Sequence, residues 1–253
     1  MSRARKPLIA GNWKMHKTIA ETRAFLADVC ARDLPLDEVD AVICPPFTAL
    51  CAARETLLGS RIELGAQNLG WAQQGAFTGE ISAAMLVECG VRWVVIGHSE
   101  RRAMFGELDL RVNEKLRTAL DNGITPIVAV GETAEERDAG RTRDKVIGQV
   151  RAAFDGVPAE LVARCVVAYE PIWAIGTGIA CSPDDADAVM SEIRGAVRGI
   201  EHTRTLYGGS MTPANVADFL RKPNIDGGLV GGASLDAASF AALLEGAREG
   251  AFA

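Results

Sequence analysis

A chain of 253 residues that is 48% hydrophobic and 24% charged carries enough apolar material for a substantial core, which excludes a disordered chain. Its net charge of -6 removes the electrostatic reason to expect nucleic-acid binding, which calls for clustered excess Lys and Arg. The six cysteines form no C-x-x-C pair and have no histidine at metal spacing, so they read as free thiols of a reducing cytoplasm; no signal-peptide core and no membrane span is expected.

In chain order, the first apolar run, 8–13, predicts a strand and is followed by a capping box at Thr18 and Glu21 that should open a helix. Further strands are predicted at 41–44, 62–67, 93–97 and 125–130. A second capping box, Thr133 with Glu136, then precedes a helix whose apolar stripe is Val146, Ile147, Val150 and Phe154. Strand 166–170 leads to Ser182-Pro183, a cap before a first-turn proline, and to a stripe of Val189, Ile193, Val197 and Ile200. Strand 205–208 precedes Thr212-Pro213, read as the same kind of start, and 228–231 closes the series.

Nearly continuous apolar strands alternating with amphipathic helices indicate parallel strands buried on both faces. Eight such units in about 250 residues predict a (β/α)8 barrel of eight parallel strands ringed by helices, with 1–253 as one catalytic domain. No G-x-G-x-x-G follows the first strand, as a dinucleotide-binding sheet would require.

A barrel places ligand chemistry at the carboxyl ends of its strands. Asn12 and Lys14 follow the first strand and should point the same way in an extended chain; Lys14 could attract a phosphate. His98 follows the fourth strand near a helix start, whose field disfavours imidazolium, so a neutral ring could donate to a substrate carbonyl. Glu170 ends the sixth strand, where partial desolvation would raise its pKa and suit a general base. The stretches Ile175 to Gly178, with Gly176 in it, Gly208 to Ser210 and Gly231 to Ser234 could bring backbone N–H groups close to an anion. Taken singly, Glu170 serves equally well as a rim ion pair and His98 as a structural histidine, and each glycine stretch reads more readily as a turn; a lysine is more commonly a surface residue, a reading that the context of Lys14 overturns. His16 and His202 read as surface residues.

The motifs GNWKM at 11–15, AQN and GAFTGEIS within 66–82, IGHSERR at 96–102, AYEPIWAIGTG at 168–178, YGGS at 207–210 and LVGGASL at 229–235 resemble those of triosephosphate isomerases, in order and through almost the whole chain. The resemblance implies a cofactor-free, metal-free aldose-ketose isomerase of glycolysis and gluconeogenesis. It further implies Glu170 as the base, His98 as the neutral electrophile, and Asn12 and Lys14 stabilising the anionic intermediate. Gly176, Ser210, Gly231 and Gly232 would hold the phosphate, with Glu100, Leu229 and Ile175 in support. Residues 171–178 would be a lid hinged near Trp173, and Thr78 in the 67–79 loop would reach a partner subunit of a homodimer. Ala129, where the family commonly has cysteine, and Gly228, where alanine is usual, depart from the pattern and bear on packing. An aldolase using Lys14 as a Schiff-base nucleophile and a silent phosphate-binding barrel are the competing expectations.

Overall fold

The computed structural model describes residues 5–175 and 181–253. Its strands are β1 (Leu8–Asn12), β2 (Asp40–Cys44), β3 (Glu63–Ala66), β4 (Trp93–Ile96), β5 (Thr125–Val130), β6 (Val166–Tyr169), β7 (Arg204–Tyr207) and β8 (Gly227–Val230). Each pairs in parallel with the next, and β8 returns to β1 through Leu8 opposite Gly227 and Gly11 opposite Val230. The sheet is a closed barrel of eight parallel strands.

Helices α1 (Ile19–Cys30), α2 (Leu50–Thr56), α3 (Ala83–Glu88), α4 (Ser99–Phe105), α5 (Asp109–Asp121) and α6 (Ala134–Asp138) pack on its outside. They are joined by α7 (Thr142–Ala153), α8 (Ala159–Val162), α9 (Pro183–Ile193), α10 (Val216–Leu220) and α11 (Ala237–Phe252). The period-two alternation of a strand splits the apolar residues into two sets. Leu8, Ala10, Val42, Val95, Ile127, Ala168, Leu206 and Leu229 fill the barrel, while Ile9, Ile43, Val94, Val128 and Val167 belong to the layer between sheet and helices.

Thr18 and Thr133 make the expected capping boxes, and Ser182 accepts from the Asp185 amide with Pro183 in the first turn. Two expected details differ. Thr212 does not start a helix: Asn215 Oδ1 accepts from the Thr212 amide, the chain turns there, and α10 begins at Val216. The stripe through Val197 and Ile200 is also broken, because α9 ends at Ile193 and Gly199 takes a left-handed φ of 97° before a short 3-10 turn buries Ile200.

Six strands end one residue earlier than their apolar runs, at Asn12, Ala66, Ile96, Tyr169, Tyr207 and Val230. At three of these ends the next amide still bonds to the neighbouring strand, Trp13 to the Cys44 carbonyl, Glu170 to Val130 and Gly208 to Tyr169. At the amino ends of the strands, Asp226 is fully buried against Arg5, Arg194 and the Thr205 amide, and Asp40 pairs with Lys6 and Arg204. That face carries charge pairs that tie strands together; the opposite mouth holds the cavity.

Candidate active site

Glu170 sits one residue past β6, in phase with Ala168 and therefore aimed at the barrel mouth, where it is 2% exposed. Its Oε2 accepts from the Ser99 amide at 2.9 Å, and its Oε1 lies 2.9 Å from His98 Nε2. His98 caps α4: its Nδ1 accepts from the Glu100 amide at 3.2 Å. An accepting Nδ1 carries no proton, so the ring is in the tautomer whose Nε2–H donates to Glu170.

Burial by itself pushes the imidazole pKa down, but the charge and hydrogen bond of Glu170, with Glu100 behind it, outweigh burial and raise it above an ordinary histidine's. A helix start is expected to lower the imidazole pKa; beside Glu170 in the unliganded site it is raised instead. The helix amide fixes which nitrogen is bare, while Glu170 sets the direction of the shift.

The Asn12 side chain follows Leu8 and Ala10 to the inside of β1, and its Oδ1 accepts from the Lys14 amide at 3.1 Å. That bond goes with a left-handed backbone at Lys14, φ 51°, so the two side chains share the mouth through a turn and not through the extended chain expected. Gln67 Nε2 donates to the carbonyls of Lys14 and Cys44, each at 2.9 Å, and pins this turn. Lys14 Nζ lies 2.5 Å from Glu100 Oε1.

Asn12, Lys14, His98 and Glu170 line one cavity of about 340 Å³ with Ile175, Gly208 to Thr212, Leu229 and Gly231 to Ala233. Gly208 is required to be bare, because a Cβ there would stand 2.8 Å from Glu170 Cγ. On the far wall Ser210 Oγ donates to the Ala174 carbonyl at 3.1 Å, tying the turn after β7 to the segment after β6. An anchored carboxylate, an imidazole donor and an ammonium around one small chamber suit proton transfer on a short anionic substrate.

Comparison with known proteins decides the family. The family profile described as Triosephosphate isomerase matches residues 7–247. The chain is 50% identical to the triosephosphate isomerase of Symbiobacterium thermophilum over 251 residues, 97% of this chain and 98% of that one. It is 52% identical to that of Chloroflexus aurantiacus over 242 residues, 93% and 97% of the two chains. The chain belongs to the triosephosphate isomerase family.

Of the residues that the triosephosphate isomerase motifs single out, the structure brings Asn12, Lys14, His98, Glu170, Ile175, Ser210, Leu229, Gly231 and Gly232 to one cavity, with Glu100 one bond away. Gly176 and the lid through residue 178 lie outside the described residues. Thr78 is exposed and is not among the residues lining this cavity. His16 and His202 are exposed, as expected. Gly228 has a local reason: a Cβ there would overlap Met211 Sδ. Ala129 is fully buried.

Sequence reasoning missed the carboxylates beneath the site. Glu107, 7% exposed, accepts from the Gly97 amide at 3.1 Å and holds Arg101 and Lys115 at 2.7 Å each, so it braces the turn that delivers His98. Glu132, fully buried, accepts from Tyr169 Oη at 3.0 Å and from Trp173 Nε1 at 2.8 Å, and fastens the start of the segment after β6. The signal for Glu132 was present: like Glu170, it ends an apolar strand run, where an unpaired carboxylate would be costly.

Proposed function

We propose that the chain interconverts dihydroxyacetone phosphate and D-glyceraldehyde 3-phosphate through an enediolate, in the cytoplasm, with the whole of 1–253 as one catalytic domain. The observation that carries this is the single cavity shared by Glu170, His98, Asn12 and Lys14, in a chain of the triosephosphate isomerase family.

Glu170 leaves the Ser99 amide and His98, takes the proton from C1 of the ketose, and returns it to C2. His98 Nε2–H donates to the C2 carbonyl oxygen as charge develops there, and the ring then recovers a proton from the oxygen on C1. Departure of Glu170 also removes the first influence that raises the imidazole pKa; burial then favours the neutral ring. The Lys14 ammonium offsets the anion, and Asn12 holds the turn that presents it. Gly176, Ser210, Gly231 and Gly232 hold the phosphate, and Ile175 and Leu229 screen the intermediate from water.

The working form is a homodimer. Exposed apolar residues line two grooves of the surface, Met15 and Phe105 one of them and Phe77 and Met85 the other, and a second copy would cover them. Thr78 on its exposed loop then reaches the groove of the second copy that is lined by Lys14, Gln67, His98 and Glu100. Among the described residues no helix is long and apolar enough to cross a membrane.

Incubation of the purified chain with dihydroxyacetone phosphate in deuterated water tests the reaction. Aldehyde should form and carry deuterium at C2; no aldehyde would sink the assignment, and borohydride-dependent covalent inactivation at Lys14 would favour an aldolase instead. Sedimentation equilibrium showing one chain per particle at micromolar concentration would remove the dimer.

A further inference from the structure

Two of the six cysteines, 38 residues apart in sequence, come together on the outer layer. Cys51 lies in the first turn of α2 and Cys89 caps the end of α3, and their Sγ atoms are 3.0 Å apart. A disulfide bond is about 2.05 Å long, so roughly 1 Å of approach separates this contact from a covalent link. Other groups hold the helices in register. Arg54, three residues beyond Cys51, donates to the Glu88 carbonyl, and its Cδ lies 3.0 Å from where Gly90 would carry a Cβ.

Cys51 is exposed and Cys89 partly so, whereas Cys44, Cys165 and Cys181 are buried. Burial, and to a lesser degree Cys51 beside it, push the Cys89 thiol up to about 11, which keeps it protonated at neutral pH.

We propose that Cys51 and Cys89 are a reversible dithiol–disulfide pair that latches α2 to α3, with a low-molecular-weight disulfide as the oxidant. Cys51, the more exposed, attacks as its thiolate one sulfur of R–S–S–R; the Cys51–SR bond forms and one R–S⁻ leaves with the electron pair of the broken bond. Cys89 gives up its proton to solvent and attacks the Cys51 sulfur, forming the intrachain bond and expelling the second R–S⁻. Both leaving thiolates take up the protons that the two cysteines lost, so the protein is oxidised by two electrons and the reagent is reduced to two thiols. Closure makes a ring of residues 51–89 that contains β3, the 67–79 loop and α3. Its restriction of the unfolded chain stabilises the fold. None of this depends on the catalytic assignments.

The test uses the full chain, reduced, desalted and incubated with oxidised glutathione. Digestion without reductant should give one linked peptide joining Cys51 to Cys89, which separates on adding dithiothreitol. In Cys89→Ser the glutathionyl group should remain on Cys51, and the linked peptide should vanish in Cys51→Ser. The melting midpoint of the oxidised wild type should rise by several degrees, reversibly, while that of both serine variants stays unmoved. Wild-type protein that yields no linked peptide at equilibrium with the oxidant overturns the pairing, and a midpoint that falls on closure overturns the latch.

Discussion

Oε1 of Glu170 lies 2.9 Å from Nε2 of His98, so the proposed base and the proposed electrophile are bonded to each other before substrate arrives. The contact gives the imidazole a folded-state pKa above its unfolded one. A raised pKa stabilises the fold fully below the unfolded value, about 6.5, and that contribution is lost as pH rises through the folded value. The wild type should therefore exceed His98→Gln in urea midpoint most clearly below about pH 6.5, with the margin shrinking as pH climbs. A margin independent of pH would contradict the Glu170 contact. Turnover in His98→Gln should fall by about 10²-fold or more.

Lys14 combines a charge at the cavity with a left-handed backbone, φ 51°. Lys14→Ala should weaken inhibition by inorganic phosphate and lower turnover by roughly 10²-fold or more. Lys14→Gly should be as inactive yet more stable than Lys14→Ala by up to about 1 kcal/mol, since glycine accepts that φ. Equal denaturant midpoints for the two variants would show that the backbone is unstrained.

A Cβ on Gly131 would overlap the backbone carbonyl oxygen of Glu170. Gly131→Ala must displace the residue that carries the proposed base. It should cost about 1–3 kcal/mol in chemical denaturation and depress turnover at saturating substrate. An active variant of normal stability would mean that the strand end yields freely.

Glu107 stands buried between Arg101, Lys115 and the Gly97 amide. Burial works to raise its carboxyl pKa, but Lys115 and Arg101 outweigh it and hold the group below the usual range. Glu107→Ala leaves Lys115, itself 3% exposed, without its carboxylate, and should cost about 3–5 kcal/mol. A loss under about 1 kcal/mol by urea titration would show that Asn68, 2.8 Å from Lys115 Nζ, suffices as its partner.

The strands were legible because parallel strands covered by helices leave almost no polar residue in the run, and the capping boxes at Thr18 and Thr133 were legible because they are local. What lay beyond reach depends on distance across the barrel. Glu170 and Ser99 are 71 residues apart, and nothing near either announces the bond. The turn at Lys14 was hidden for another reason: a lysine carries no mark of a positive φ, and Asn12 supplies the compensating bond. Glu107 sits in a charged neighbourhood that reads as surface, and its burial comes from the later packing of Lys115 on α5.

Barrel closure bears on synthesis. The β8-facing edge of β1, from Leu8 to Gly11, finds its partners between Gly227 and Val230, near the other end of the chain. While the ribosome is still translating, that edge stays unpaired although β2 can already cover the opposite side. A nascent chain stalled ahead of Gly227 would present an open strand to chaperones and proteases, and the last strand to emerge is the one that seals it.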